Sequence, residues 1–212
     1  SLDAQVTNSG NININEANGL DRLTVNSANG DVTVNSTTGN LNVDVINATG
    51  HTVNLNANAG AIRDANNNTV SNVNAQTANL IAASGVGQSG NAFDVNVGNL
   101  ASSGGTGGAA LNSTSTSALN LTSLTASSGD IVLNSAGDLN VNGGVSHTGG
   151  GNITLNGGNI NQNANITTSG RGNVNVNGSG NVVMAATTTT STDTGTVSYT
   201  GGRSISVASI QT

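Results

Sequence analysis

Residues Gly151 to Met184 read GNITLNGGNINQNANITTSGRGNVNVNGSGNVVM. Asn and Gly fill half of this stretch, and its aliphatic residues stand two apart in short bursts: Ile153 and Leu155, Val174 and Val176, Val182 and Met184. In an extended chain the first and third residues of such a burst point to one face and the middle one to the other. This is strand alternation, and a helix would need apolar residues three and four apart.

Working outward, one unit recurs along the chain: Gly, then Asn or Asp, then apolar, any, apolar. It stands as GNINI at Gly10, GDVTV at Gly30, GNLNV at Gly39, GDIVL at Gly129, GDLNV at Gly137, GNITL at Gly151, GNVNV at Gly172 and GNVVM at Gly180, with a looser copy, GRSISV, at Gly202. Gly129, Gly151 and Gly172 step by 22 and 21 residues, while Gly137, Gly158, Gly180 and Gly202 step by 21, 22 and 22. Gly10, Gly30 and Gly50 step by 20 and 20. Two or three short strands per period of this length describe a coil whose strands stack on their equivalents one period later, at about 4.8 Å. The sequence therefore predicts a right-handed parallel β-helix, an all-β solenoid of about ten coils and roughly 45 to 50 Å.

The expected organisation is one β-helix domain over 1–212, with regular coils in 1–63 and 129–212 and an irregular middle, 64–128, carrying loops inserted at corners. The longest of these loops is expected from Ser102 to Ala110. Gly10, Gly30, Gly129, Gly137, Gly151, Gly158, Gly172, Gly180 and Gly202 are expected at coil corners, where Gly and Asn accept positive φ. Asn152 with Asn173, and Asn159 with Asn181, are the expected side-chain ladders along the axis. Ile153 is read as inward and Thr154 as outward. Proline, which would remove a ladder donor, is absent.

Composition narrows the function. Only 34% of the 212 residues are hydrophobic, against about 45 to 50% in ordinary globular domains, so a thick core is not expected. Disorder normally pairs low hydrophobicity with high charge, yet 7% of residues are charged and the net is −6. With four Arg and no Lys there is no basic patch for nucleic acid or an anionic membrane surface. The absence of Cys excludes disulfides and thiolate metal sites, and fits a chain kept unfolded during export. No apolar run is long enough to span a bilayer, and SLDAQVTNSG has neither a charged nor an apolar leader region. Because Val6 already alternates, the chain is expected to be a piece of a longer one.

The run GAIRD at Gly60, then LIAASGVGQSGNAFDVNVGNLAS from Leu80, then the GDIVLNSAGDLNV and GNITLNGGNI units, resembles the repeat region of filamentous-haemagglutinin-like large exoproteins. The resemblance implies a secreted adhesin whose shaft is a right-handed parallel β-helix. It also implies a secretion domain with Asn-Pro-Asn motifs, which this proline-free chain lacks, so the chain would be shaft.

Other chemistry is weaker. Gly85 to Gly90 matches G-x-G-x-x-G, but Asn91 to Val97 continues as a strand and not as the helix a dinucleotide needs. Asp31, Asp130 and Asp138 follow Gly where other copies have Asn, which reads as corner capping. Asn152, Asn159 and Asn173 stand where a second acid of a glycosidase or lyase would be needed. The GGxGxD nonapeptides of calcium-binding β-rolls are missing, and His51 and His147 read as separate surface residues, so neither metal nor cofactor is expected. Asp21 with Arg22, and Arg63 with Asp64, read as solvated pairs. Phe93 reads as core filler, and with Tyr199 as the only other aromatic there is no stacking platform for sugars or bases. The Thr187 to Thr190 run does not extend into an ice-binding face, since outward positions mix Thr154, Asn175, Val183 and Asn140. Asn-x-Ser/Thr triplets at Asn35, Asn47, Asn112 and Asn152 are what an Asn- and Thr-rich chain produces by chance.

The expected function is non-enzymatic: a shaft segment of a bacterial adhesin or exoprotein, extracellular or on the outer surface. Its partners would be further coils of the same or an identical chain, with a host or neighbouring cell met by regions outside this segment; no nucleic acid and no membrane insertion are expected. The alternatives are a self-assembling filament subunit and, behind it, a polysaccharide-binding or -cleaving β-helix.

Overall fold

Alternating branched apolar and polar residues can gather their apolar side chains on one side only as extended chain. The computed structural model, which describes residues 1–212, holds twenty-three strands in one continuous sheet and a single short helical turn, Gly105–Gly107. Strands stack in parallel on their equivalents: Ile131 pairs with Ile153, Ile153 with Val174, and Val174 with Val197, steps of 22, 21 and 23 residues. The chain is a β-solenoid of about ten turns with about 21 residues each. No helix is long and apolar enough to cross a membrane.

Each early coil has two sides. One is built from Leu2–Val6, Leu20–Ser27 and the start of Leu41–Ala57, the other from Ile12–Glu16, Val32–Ser36 and the end of Leu41–Ala57. The second side later divides. In Leu119–Ala126 a register shift between Leu121 and Ser123 leaves Thr122 out of the pairing, and its hydroxyl bonds to the Leu100 carbonyl at 3.0 Å. From the next coil on, this side is two separate strands, Leu139–Val141 and Val145–His147, and then Ile160–Gln162 and Ile166–Thr168. A two-sided coil thus becomes three-sided along the axis.

The core is a set of inward columns one residue wide. Leu111, Leu133, Leu155 and Val176 lie in register and are fully buried, as are Ile131, Ile153 and Val174. Forty buried apolar residues join into one cluster running through the stack, Phe93 among them. Burying a side chain such as Ile153 stabilises by about 1.5–3 kcal/mol. Where the third side appears, one column shrinks: Val73 and Val95 are followed by Ser113, Ser135, Gly157, Gly178 and Gly201. A Cβ on Gly178 would lie 2.7 Å from Val182 Cγ2, and one on Gly201 2.8 Å from Ile205 Cγ1, so the apolar side chain of the neighbouring strand occupies that space.

The middle region departs from expectation in where its insertions fall. Ser102 to Ala110 is not a long loop: it is the end of Asn99–Ser103, the turn Gly105–Gly107 and the start of Ala109–Ser113, all in register. The insertions are residues 65–72 and 87–92. Ile46 pairs with Val73, a step of 27, because six extra residues leave the corner after Asp64. Val86 pairs with Ala109 but Phe93 with Leu111, so a small hairpin closed by Gln88 and Asn91 projects from the same side of the following coil, where the next coil runs as the unbroken strand Ala109–Ser113.

Candidate functional site

Asn does two separate jobs on this surface. In outward mid-strand positions the amides bond to one another across coils: Asn112 Nδ2 donates to Asp94 Oδ1 at 2.9 Å, Asn134 to Asn112 at 2.8 Å, Asn156 to Asn134 at 2.7 Å and Asn177 to Asn156 at 2.9 Å. A second row runs through Asn99, Asn120, Asn140 and Asn161. In the first row Asp94 holds the direction, since a carboxylate only accepts and Asn112 must turn its Nδ2 toward it; the second row runs the same way without an acid.

At the corner positions Asn152, Asn173, Asn159 and Asn181 the bonds are of another kind. Asn152 Oδ1 accepts the backbone N–H of Asn173 at 3.0 Å, Asn173 Oδ1 that of Thr196 at 2.8 Å, and Asn159 Oδ1 that of Asn181 at 2.9 Å, while Asn181 Oδ1 accepts the Ser204 hydroxyl at 2.8 Å. Only an acceptor is needed there, which is why Asp replaces Asn freely. Asp31 accepts from Thr52 N, Asp130 from Asn152 N and Asp138 from Asn159 N, at 2.9, 2.9 and 2.7 Å. The backbone N–H of Asn159, joined by its side-chain amide, holds the Asp138 carboxyl below the ordinary carboxylate range.

Of the nine repeat glycines only Gly10 and Gly129 have positive φ, 139° and 70°. At the others glycine answers close approach. A Cβ on Gly30, Gly137, Gly151, Gly172 or Gly202 would collide with a backbone carbonyl of the preceding coil, and one on Gly158 or Gly180 with the Oδ1 of Asp138 or Asn159. The single non-glycine residue with positive φ is Asn67, at 48°, in the 65–72 insertion and not at a repeat corner.

Gly85 to Gly90 folds as a corner and the start of the 87–92 hairpin, and the strand Phe93–Asn96 follows it where a dinucleotide site needs a helix. The hairpin overhangs a shallow groove of about 320 Å³ floored by Ala110, Val132 and Asn134. His147 is buried, not on the surface: its Nδ1 accepts the N–H groups of Gly151 and Gly149 at 3.0 and 3.2 Å, so Nε2 carries the proton and donates to Gly129 O at 2.5 Å. Thr168 and Thr192 succeed it in the same column and donate to Gly151 O and Gly172 O, both at 2.7 Å. His51 lies apart, half-buried, its Nδ1 3.8 Å from Asp31. Arg22 pairs not with Asp21 but with Asp44 one coil on, through Nη2 at 2.7 Å and Nε at 3.1 Å.

Asp64 is not part of a solvated pair with Arg63. It is buried, and Asp94 beside it is buried too, although the two stand thirty residues apart in sequence. Asp64 Oδ1 accepts Asn72 Nδ2 at 2.7 Å and Asn66 N at 2.8 Å, whereas Oδ2 has no partner. Burial pushes the Asp94 carboxyl above its ordinary range, the Asn112 amide pulls it down, and the negative charge of Asp64 pushes it up. This juxtaposition was not legible in sequence, because it depends on two insertions leaving the same side of successive coils; the acid and amide oxygens of DANNNTVSN, 64–72, were its one signal. No three His, Cys, Asp or Glu side chains cluster anywhere in the molecule. No family model, curated protein or solved structure matches the chain.

Proposed function

We propose that this chain is a shaft segment of an extracellular, surface-exposed bacterial adhesin or exoprotein, a rod that holds a binding region away from the cell. The observation that carries this reading is axial continuity: from Leu2 to Gln211 backbone pairing, core columns and outward amides all repeat along one direction. The resemblance to filamentous-haemagglutinin-like repeats supports the same reading. Further coils are its natural partners, because Ile205 and Ile210 are 47% and 45% exposed, while Val182 and Thr190, the same positions one coil earlier, are fully buried.

Between continuation of one chain and head-to-tail stacking of identical subunits, the change of cross-section favours continuation. Stacking a copy in register would set the three-sided coil of Val197–Gly201, Ile205–Ser206 and Ile210–Gln211 against the two-sided coil of Leu2–Val6 and Ile12–Glu16. Electron microscopy of the native protein, read with its chain mass, tests this. Rods much longer than about 50 Å from one large polypeptide are expected. Long rods assembled from short chains would replace the shaft with a filament, and compact particles of a 20.6 kDa chain would refute both.

A further inference from the structure

We propose that the insertion Asp64–Asn72, together with Asp94 of the following coil, is a calcium site. The insertion reads D-A-N-N-N-T-V-S-N, placing Asp64, Asn66 and Asn68 at alternate positions and the Val70 carbonyl two further on. Calcium loops of the D-x-[DN]-x-[DN] kind space their side-chain oxygens in this way, with a backbone carbonyl at the seventh position. The loop is already wound: Asn66 N donates to Asp64 Oδ1 at 2.8 Å, Asn68 N to Asn66 Oδ1 at 3.3 Å and Val70 N to Asn68 Oδ1 at 2.6 Å.

Spacing and turns alone would not make a site; the independent observation is an orphaned oxygen. Asp64 is 7% exposed and its Oδ2 is out of contact with solvent and without a hydrogen-bond donor. Asp94, 4% exposed, is joined to it through Asn72, whose Nδ2 donates to Asp64 Oδ1 at 2.7 Å and whose Oδ1 accepts the Asp94 N–H at 2.9 Å. Arg63, next to Asp64, is exposed and in no ion pair; the molecule's one Arg–carboxylate bridge is Arg22 with Asp44. Two buried negative charges without a counter-charge are costly, and a divalent cation between them removes that cost. Oxygen-only ligation by carboxylate, amide and carbonyl selects a hard cation, and an irregular flexible loop suits calcium better than octahedral magnesium.

The site departs from high-affinity loops. The sixth position is Thr69 and not Gly, the twelfth is Ala75 and not a bidentate Glu, and at most two ligands are charged. Affinity therefore belongs at the weak end, with Kd about 10⁻⁴ to 10⁻³ M, the range of extracellular modules. Bound calcium would tie together consecutive coils where insertions interrupt the regular stack.

Calorimetric titration of the EDTA-treated protein with CaCl₂, and melting at constant ionic strength with CaCl₂ or MgCl₂, test this. Saturable calcium binding in that range is expected, with a rise in Tm that magnesium does not match. Asp64→Asn should weaken calcium binding at least tenfold, yet melt no lower than the parent in EDTA, because it removes a buried charge; a purely structural carboxylate would instead lower the melt. Asp94→Asn should weaken binding also, and decides the matter if Asp64→Asn does not fold. Asp138→Asn, on another corner, should leave binding intact. No saturable calcium binding by the parent up to about 10 mM, an equal response to magnesium, or unchanged binding in both variants would overturn the site.

Discussion

Ile153 and Thr154 are neighbours with opposite fates, one fully buried and the other on the outer wall. Ile153→Asp would strand a carboxylate in a one-residue-wide column and should cost at least ~3 kcal/mol, whereas Thr154→Asp should stay within ~0.5 kcal/mol, both read from denaturant midpoints. The two kinds of Asn position separate as sharply. Asn134 needs both ends of its amide: Nδ2 donates to Asn112, and Oδ1 accepts from Asn156. In Asn134→Asp the new carboxylate faces Asn112 Oδ1, and Asn112 cannot turn over because Asp94 holds its Nδ2, so a loss of about 1–3 kcal/mol is expected. Asn173→Asp keeps the one acceptor used by Thr196 and should be neutral within ~0.5 kcal/mol. The alternation and the corner repeat made inward residues and acceptor positions legible in sequence, and the recurrence of Asp for Asn after Gly already hinted at acceptor-only demand. What sequence could not give was the reason for the glycines. Their constraint at seven of nine positions is a carbonyl or an Oδ1 of the preceding coil, and that contact exists only after stacking.

Among the elements, the C-terminal coils are the ones that place polar side chains in several inward columns. Inward positions that are Leu and Val earlier become Gln162 and Thr190, joined to Tyr199 by short hydrogen bonds: Tyr199 Oη donates to Gln162 Oε1 at 2.6 Å, and Gln162 Nε2 donates to Thr190 Oγ1 at 2.9 Å. Burial raises the Tyr199 phenol above its ordinary value, against the pull of the Thr190 and Gln162 bonds. A phenol harder to ionise when folded lends stability that is fully present below the unfolded value, about 10, and is lost as pH rises through the folded one. With no Lys, no Cys and one Tyr, no other side chain titrates in that window. Tm should therefore fall as pH rises above about 10 in the parent and stay flat there in Tyr199→Phe. The period of about 21 was legible because copies outside the middle repeat cleanly. The third side was not, since it starts from one residue, Thr122, dropped from the pairing in a strand whose composition looks like its neighbours.

For the whole molecule, a narrow core means that each coil is stabilised mainly by the coils directly above and below it, as in other solenoids. Amide exchange should accordingly be slowest in the interior strands such as Ile131–Ser135 and fastest in Leu2–Val6 and Ile210–Gln211, and uniform protection along the chain would contradict a nearest-neighbour stack. Purified chain alone should remain monomeric at concentrations where a self-stacking filament would scatter light, because the two ends differ in cross-section. One further consequence comes from the direction of the Asn rows. Rungs from Asn35 to Asn15, Asn47 to Asn26, Asn79 to Asn54, Asn134 to Asn112 and Asn161 to Asn140 all donate from the later coil to the earlier one. Backbone dipoles of a sheet largely cancel, but each aligned side-chain amide adds about 3.5 D along the same axis. The amide rows are thereby a polar element within the rod, with their positive end toward Leu2 and their negative end toward Gln211, and their moment grows with every added rung; it opposes the formal charges, which are more negative in the half that holds Leu2.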